Sequence, residues 1–303
     1  MRLLTRSDFD GIACAVLLKE IGIMNEMVYA HPKDLQDGKF EVTKNDILAN
    51  VPYVEGCGLW FDHHSSEQER LGLDGKYEGR SELALSAARV ISNYYGPEKF
   101  SKYQEMLESV DKVDSAQLNE KEIMNPEGWV LLGFICDPRT GLGYHKDYQI
   151  SNLQLMRDLM EYLGNKPIEE ILQLPDVKER IIRYFENDVI FKKYLLEKST
   201  QDGPVVITDS RGAADTPPGN RFLVYSLFPE TNISIRLIDG RGKEFVSISV
   251  GYSVLNRTSN VDVGSLMLKY GGGGHKAVGT CQVPYADADR ILQEIIGVIK
   301  AQG

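Results

Sequence analysis

The chain opens on a short apolar run at residues 1–6 (MRLLTR), breaks at a polar stretch, and resumes with an apolar helical pattern at 12–23 (IACAVLLKEIGI). The first reads as a strand and the second as a helix, with Asp10 and Gly11 at its mouth. Strand-like runs follow at 27–30, at 46–51 (DILANV), where Pro52 stops the run, and at 57–62 (CGLWFD). Helical patterns occupy 82–95 and 98–110. Strands that alternate with helices imply an α/β fold with a mostly parallel sheet and flanking helices. Ligands of such sheets gather beyond the carboxyl ends of the strands, and Asp8, Asn50 and Asp62 all fall there.

From 150 to 199 the pattern is helical and charged, which fits a solvated connecting helix. After residue 200 the texture changes. Short strand-like runs at 205–209, 222–228, 232–238 and 245–250 alternate with turn residues, a helix is predicted at 262–270, and another at 287–301. The boundary is set near 200, giving a first domain over 1–200 with a helical connector and a smaller mixed α/β domain over 201–303.

Charge and cysteine content narrow the function. A net charge of −10 over 303 residues argues against a long basic groove for polymeric nucleic acid, while leaving room for a short anionic ligand. No run approaches the roughly 18 apolar residues of a membrane span, and the first residues lack a signal-peptide pattern. The four cysteines, none in C-x-x-C spacing, read as free thiols of a reducing cytosol.

Four stretches carry chemistry. Ser7-Asp8-Phe9-Asp10-Gly11 sets two carboxylates at i and i+2 after a strand; Asp8 and Asp10 can aim at one cation, or serve only as helix caps. Asp62-His63-His64 ends an apolar run, and an acid beside two imidazoles suits a metal or catalytic site. Asp111 and Asp114 (VDKVDS) offer a further oxygen or ordinary surface charge. Gly271 to Gly274, followed by His275 and Lys276, exposes backbone N–H groups as an anion-binding loop requires, though a linker has the same composition. No Walker A pattern is present. Oxygen and imidazole donors suit Mn²⁺, Mg²⁺ or Zn²⁺.

SDFDG, FDHH and GGGGHKAVG, in this order and over nearly the whole chain, resemble the DHH phosphoesterase superfamily with its DHH-associated C-terminal domain. Similarity is greatest to the short two-domain members, the oligoribonuclease/pAp-phosphatase and exopolyphosphatase-related proteins. The resemblance implies a hydrolase with, usually, two Mn²⁺ ions. It implies metal ligands at Asp8, Asp10, Asn50, Asp62, His63 and Asp114, a catalytic role for His64 with Asp62, and substrate contacts from Arg6, Arg257, Gly272, Gly273, Gly274 and His275. Arg236 and Arg139 are weaker phosphate candidates, for which ordinary surface arginine is the default. Two positions depart from the family: Arg6 stands where a histidine is usual, and Asn50 where an aspartate can bridge both ions. Arginine cannot coordinate a metal. It can pair with Asp8 in the missing ion's place, which leaves one strong site.

The expected function is therefore a cytoplasmic, metal-dependent phosphohydrolase acting on short nucleotides such as nanoRNA or pAp, with Mn²⁺ or Mg²⁺ as cofactor. Long nucleic acid and membrane are not expected partners, and a homodimer is left open. An exopolyphosphatase or pyrophosphatase activity, or a degenerate member that binds nucleotide without cleaving it, are the alternatives.

Overall fold

The computed structural model describes residues 1–64, 77–213 and 216–302. The chain divides into one unit of Met1–Gln117 with Pro126–Tyr184, and another of Leu118–Asn125 with Phe185–Gly303. The division falls within the 24-residue helix Pro175–Lys198.

In the first unit, β1 (Arg2–Thr5), β2 (Glu26–Tyr29), β3 (Asp46–Ala49), β4 (Leu59–Asp62) and β5 (Gly79–Ser81) form a sheet in the order β2-β1-β3-β4-β5. Every pairing is parallel. Alternate side chains of a strand face opposite sides, and here both sides are apolar. Leu3, Ile47 and Phe61 join the core built with the helix Phe9–Glu20, while Leu4, Leu48 and Trp60 join a second core with Ala30, Leu35 and Val51. Burial on two faces explains why these strands read as unbroken apolar runs. The helix Phe9–Glu20 is buried from Phe9 through Leu18, so its sequence is apolar all round and not striped.

Strand order fixes where a ligand can sit. From β1 the chain passes to β2 on one side, then returns to β3 on the other. The β1/β3 junction is thus the topological switch point of the sheet. Asp8 caps the helix that leaves β1, its Oδ1 accepting the Gly11 N–H at 2.9 Å. Gly11 is required there, since a Cβ would lie 2.0 Å from the Arg6 carbonyl oxygen.

The second unit holds a mixed six-stranded sheet in the order β10-β11-β9-β8-β7-β6. Its strands are β6 (Ser199–Asp202), β7 (Val205–Asp209), β8 (Ile233–Asp239), β9 (Phe245–Tyr252), β10 (Gly273–His275) and β11 (Val278–Pro284). The β7/β8 pairing is parallel and the other four are antiparallel. One face, carrying Ile233, Ile235, Ile248 and Cys281, packs against the helices Val263–Leu268 and Ala288–Gln302.

Three local expectations change. Residues 222–228 are not a strand: Leu223–Leu227 is a short buried helix, started by Asn220 Oδ1 accepting the Phe222 N–H at 3.0 Å. A brief apolar run is ambiguous by pattern, and here the Asn turn decides it. The helix expected from residue 82 begins at Ala87, because Ser86 caps it by accepting the Arg89 N–H at 3.0 Å. The helix expected at 98–110 divides into a 3-10 segment, Pro97–Tyr103, and the helix Gln104–Asp114. All four cysteines are free thiols. Among the described residues no helix is long and apolar enough to cross a membrane.

The glycines make this packing testable. Gly11→Ala is expected to lower stability by about 1–3 kcal/mol through overpacking against the Arg6 carbonyl. Gly297→Ala, in a terminal helix where a Cβ would meet nothing within 4 Å, is expected to raise it by about 0.5–1 kcal/mol. Thermal melts of both variants against the parent chain check the opposite signs.

Candidate functional site

The carboxyl ends of β1, β3 and β4 deliver the polar residues of the first unit to its switch point. β1 ends at Thr5 and is followed by Arg6, Ser7 and Asp8; β3 is followed by Asn50; β4 ends on Asp62 and is followed by His63 and His64. Asn50 turns the chain off β3 with a left-handed backbone, φ 56°. Asparagine tolerates that region better than most side chains.

Asp10 is 2% exposed, at the start of the helix Phe9–Glu20. Its Oδ2 accepts the Ala87 N–H at 2.9 Å and its Oδ1 the Ala88 N–H at 2.8 Å. These are free donors of the first turn of the helix Ala87–Tyr95, so a helix N-terminus fixes the carboxylate. Burial nevertheless drives the Asp10 pKa well above the usual carboxylate range. Asp114 and then Asp8 add to the shift, against the pull of the two amides.

His63 and Asp114 complete a cluster. His63 Nδ1 lies 3.3 Å from the Ala84 carbonyl oxygen, which turns Nε2 toward the acids. Nε2 is 3.3 Å from Asp114 Oδ2 and 3.9 Å from Asp10 Oδ2, yet it is buried and forms no hydrogen bond with either. Ligand atoms of Asp10, His63 and Asp114 all lie within 4.8 Å of one another. Burial also raises the Asp114 pKa, with a contribution from Asp8 and opposition from His63 and His64. Two carboxylates that resist ionisation and an imidazole nitrogen without a hydrogen bond fit a divalent cation. Such an ion would neutralise the acids and occupy the free nitrogen's lone pair.

The other candidate residues are engaged differently. Asp8 lies outside this cluster: its Oδ2 is 3.0 Å from Arg6 Nε, and its Oδ1 accepts from Asn50 Nδ2 at 3.1 Å as well as from the Gly11 N–H. Asn50 thus presents its amide nitrogen to Asp8, and its Oδ1 is buried without a hydrogen bond. Asp62, 1% exposed, is paired with His64, whose Nδ1 lies 2.9 Å from Asp62 Oδ1. That hydrogen bond raises the His64 pKa against the opposing effect of burial. Asp111, one turn before Asp114, accepts from Ser86 Oγ at 2.6 Å and Arg89 Nε at 2.8 Å, so it braces the helix that holds Asp10.

Sequence reasoning undervalued two contributors. Arg139, with Asp137, lines the same small cleft as Asp8, Asp10 and Asp114. Burial works to lower its pKa, but Asp137 at 2.7 Å, then Asp8 and Asp114, hold it above the ordinary arginine value. The segment DPRTG carried that signal as an arginine beside an acid in a turn. The Ala87 and Ala88 amides left no signal except the Ser86 cap.

In the second unit, the glycine run is not a loop throughout, since Gly273–His275 forms the edge strand β10 of a hairpin with β11. Cβ atoms at Gly272 and Gly274 would lie 2.1 and 2.2 Å from the Thr280 and Val278 carbonyl oxygens, so close backbone approach is one reason for glycine there. His275 and Arg257 are exposed, and Arg257 Nε donates to the Val254 carbonyl at 3.0 Å.

No family model and no curated protein sequence matches the chain. Among solved structures, it is similar to the pGpG-specific phosphodiesterase PggH from Vibrio cholerae. The two are 43% identical, with 100% of this chain and 99% of that chain covered and a TM-score of 0.86. The DHH domain of a protein described as a member of a ribosomal-protein family shares the fold at 11% identity. There 98% of this chain and 86% of that chain are covered, with a TM-score of 0.66. An exopolyphosphatase-related protein from Bacteroides fragilis also shares it, at 12% identity, with 99% and 92% covered and a TM-score of 0.52. The end-to-end likeness to PggH, on a sheet whose strand tips carry Asp8 and Asp62-His63-His64, shows that the chain belongs to the DHH phosphoesterase family.

Proposed function

We propose that this chain is a metal-dependent phosphodiesterase that hydrolyses short 5′-phosphorylated nucleotides, with a linear diguanylate as the first substrate to test. The observation that carries the reading is the Asp10–His63–Asp114 cluster, with Asp10 buried and the His63 Nε2 unsatisfied. The 43% identity to a pGpG-specific phosphodiesterase supports the substrate, which is also a short nucleotide of the nanoRNA class. An acidic chain suits a small substrate better than a long strand.

Asp10, His63 and Asp114 are the proposed holders of Mn²⁺ or Mg²⁺, whose chemistry when bound is to polarise a phosphoryl oxygen and make water nucleophilic near neutrality. Asp62 keeps Nδ1 of His64 engaged, so the remaining ring nitrogen is free to donate to a phosphate oxygen or to protonate the leaving oxygen. The raised His64 pKa favours the protonated ring that this role needs. Arg6 beside Asp8, and Arg139 beside Asp137, are cations suited to charge developing on the phosphate. Arg257, Gly272, Gly273, Gly274 and His275 are the proposed substrate contacts of the second unit.

Asp8, occupied by Arg6, Asn50 and the Gly11 N–H, supports one strong ion per chain and not two. The same feature favours a second reading, a member that binds nucleotide without cleaving it.

Three outcomes follow. Metal analysis of purified, Mn²⁺-loaded protein is expected to give about one tight ion per chain; two would contradict the role given to Arg6. His64→Ala is expected to reduce kcat on the dinucleotide by about 10²–10⁴ with Mn²⁺ binding retained; His63→Ala is expected to lose the tight ion. Wild-type turnover unaffected by chelator would overturn the metal-dependent reading, and turnover absent with Mn²⁺ on a panel of linear dinucleotide, nanoRNA, pAp and polyphosphate would overturn the catalytic one.

A further outcome concerns pH. Asp10 and Asp114 have folded-state pKa values above their unfolded ones, so their contribution to stability in metal-free protein is present at low pH and is lost as pH rises through the folded values. A divalent ion binds the ionised pair and reverses that loss. The Mn²⁺-induced rise in melting temperature is therefore expected to be larger near pH 8 than near pH 5. An equal or smaller rise at the higher pH would show that these acids are not the ligands.

A further inference from the structure

Arg236 is distinguished by what it lacks. It sits on β8 between Ile235 and Leu237, both of which enter the core of the second unit, so its side chain leaves the opposite face of the sheet. On that face its register partners are Thr208 of β7 and Ser249 of β9. One strand further out lie Ser199 of β6 and Thr280 of β11. Thr280 Oγ1 donates to Ser249 Oγ at 3.1 Å, and the Ser199 and Thr208 hydroxyls lie 2.8 Å apart. A single cross-strand row thus sets one guanidinium among four hydroxyls and no carboxylate.

Arg236 is half-buried, and its guanidinium makes no hydrogen bond or ion pair among the described residues. Arg211 of the same unit shows the usual arrangement: Asp209 lies at 2.6 Å and Asp289 at 2.8 Å. A half-buried guanidinium with no anion beside it keeps its donors available to an anionic ligand.

We infer that Arg236, flanked by the Ser249 and Thr280 hydroxyls, forms a phosphate seat on the face of the second sheet opposite its core. A guanidinium offers a planar fork of donors, and hydroxyl rotors adjust to donate beside it. Several donors around one cation match the several oxygens of a phosphate better than the two of a carboxylate. That the phosphate belongs to a nucleotide rests on the function proposed above; the anion seat itself does not.

The test is titration calorimetry of the full-length chain in chelator, first with inorganic phosphate and then with a 5′-mononucleotide. Wild type is expected to bind each saturably. Arg236→Gln is expected to weaken both by about tenfold or more, and Ser249→Ala by a smaller factor. Melting in phosphate-free buffer supplies the readout that a structural arginine would not give: Arg236→Gln is expected to melt no lower than wild type, because it removes an unpaired charge. Added phosphate is expected to raise the melting temperature of wild type and leave that of Arg236→Gln unchanged. Phosphate binding equal in wild type and Arg236→Gln, no saturable binding by wild type, or a lower melting temperature for Arg236→Gln in phosphate-free buffer would each overturn the inference. A chain inactive on every phosphodiester that still loses phosphate binding with Arg236→Gln would refute the enzyme and leave the seat standing.

Discussion

The buried carboxylate of Asp10 is the constraint around which the first unit is organised. Two backbone N–H groups of the helix Ala87–Tyr95 hold it in place, and no lysine or arginine among the described residues is paired with it. To reach it, the helix must start at Ala87 behind the Ser86 cap, and Ser86 and Arg89 must be anchored by Asp111. Asp111 lies on the same helix as Asp114, one turn away, so the contact that orients Asp10 also sets the position of the second acid. His63 closes the arrangement from the end of β4. The proposed divalent cation would relieve the repulsion of like charges in this cluster.

Beside this cluster, Arg6 and Asn50 hold Asp8. Arginine brings a fixed positive charge where an imidazole could have coordinated, and the Asn50 amide donates where a carboxylate could have bridged. Asp8 keeps its cap on the helix Phe9–Glu20, so the backbone architecture is unaffected by the exchange. A permanent guanidinium differs from a second ion in one functional respect: it cannot be removed by chelation or by scarcity of metal. On the proposed function, part of the charge facing a substrate phosphate would then be built into the chain.

Much of this was legible in the sequence because parallel strands buried on both faces leave unbroken apolar runs, and the polar residues that stop them mark the strand tips. Asp8, Asn50 and Asp62 were locatable for that reason. The residues alone left Asp111 and Asp114 open, and only the family resemblance favoured Asp114, because both lie on one helix and tertiary contact separates the brace from the cluster member. Residues 222–228 misled because a short apolar run has no period, and Asn220 acts through a single hydrogen bond. The glycine run read as an anion loop, whereas Gly272 and Gly274 also answer a backbone contact with β11 that no local pattern reveals. Arg236 looked like a surface residue because an unpaired guanidinium has no sequence signature; its isolation emerges only when neighbouring strands are laid beside it.

The most direct test of the central claim is anomalous diffraction at the manganese edge from crystals grown with Mn²⁺. The account predicts one strong peak per chain, in contact with Asp10, His63 and Asp114, with Arg6 still paired to Asp8. Two peaks roughly 3.5–4 Å apart, as in two-metal sites, or a peak on Asp8 with Arg6 displaced, would contradict it.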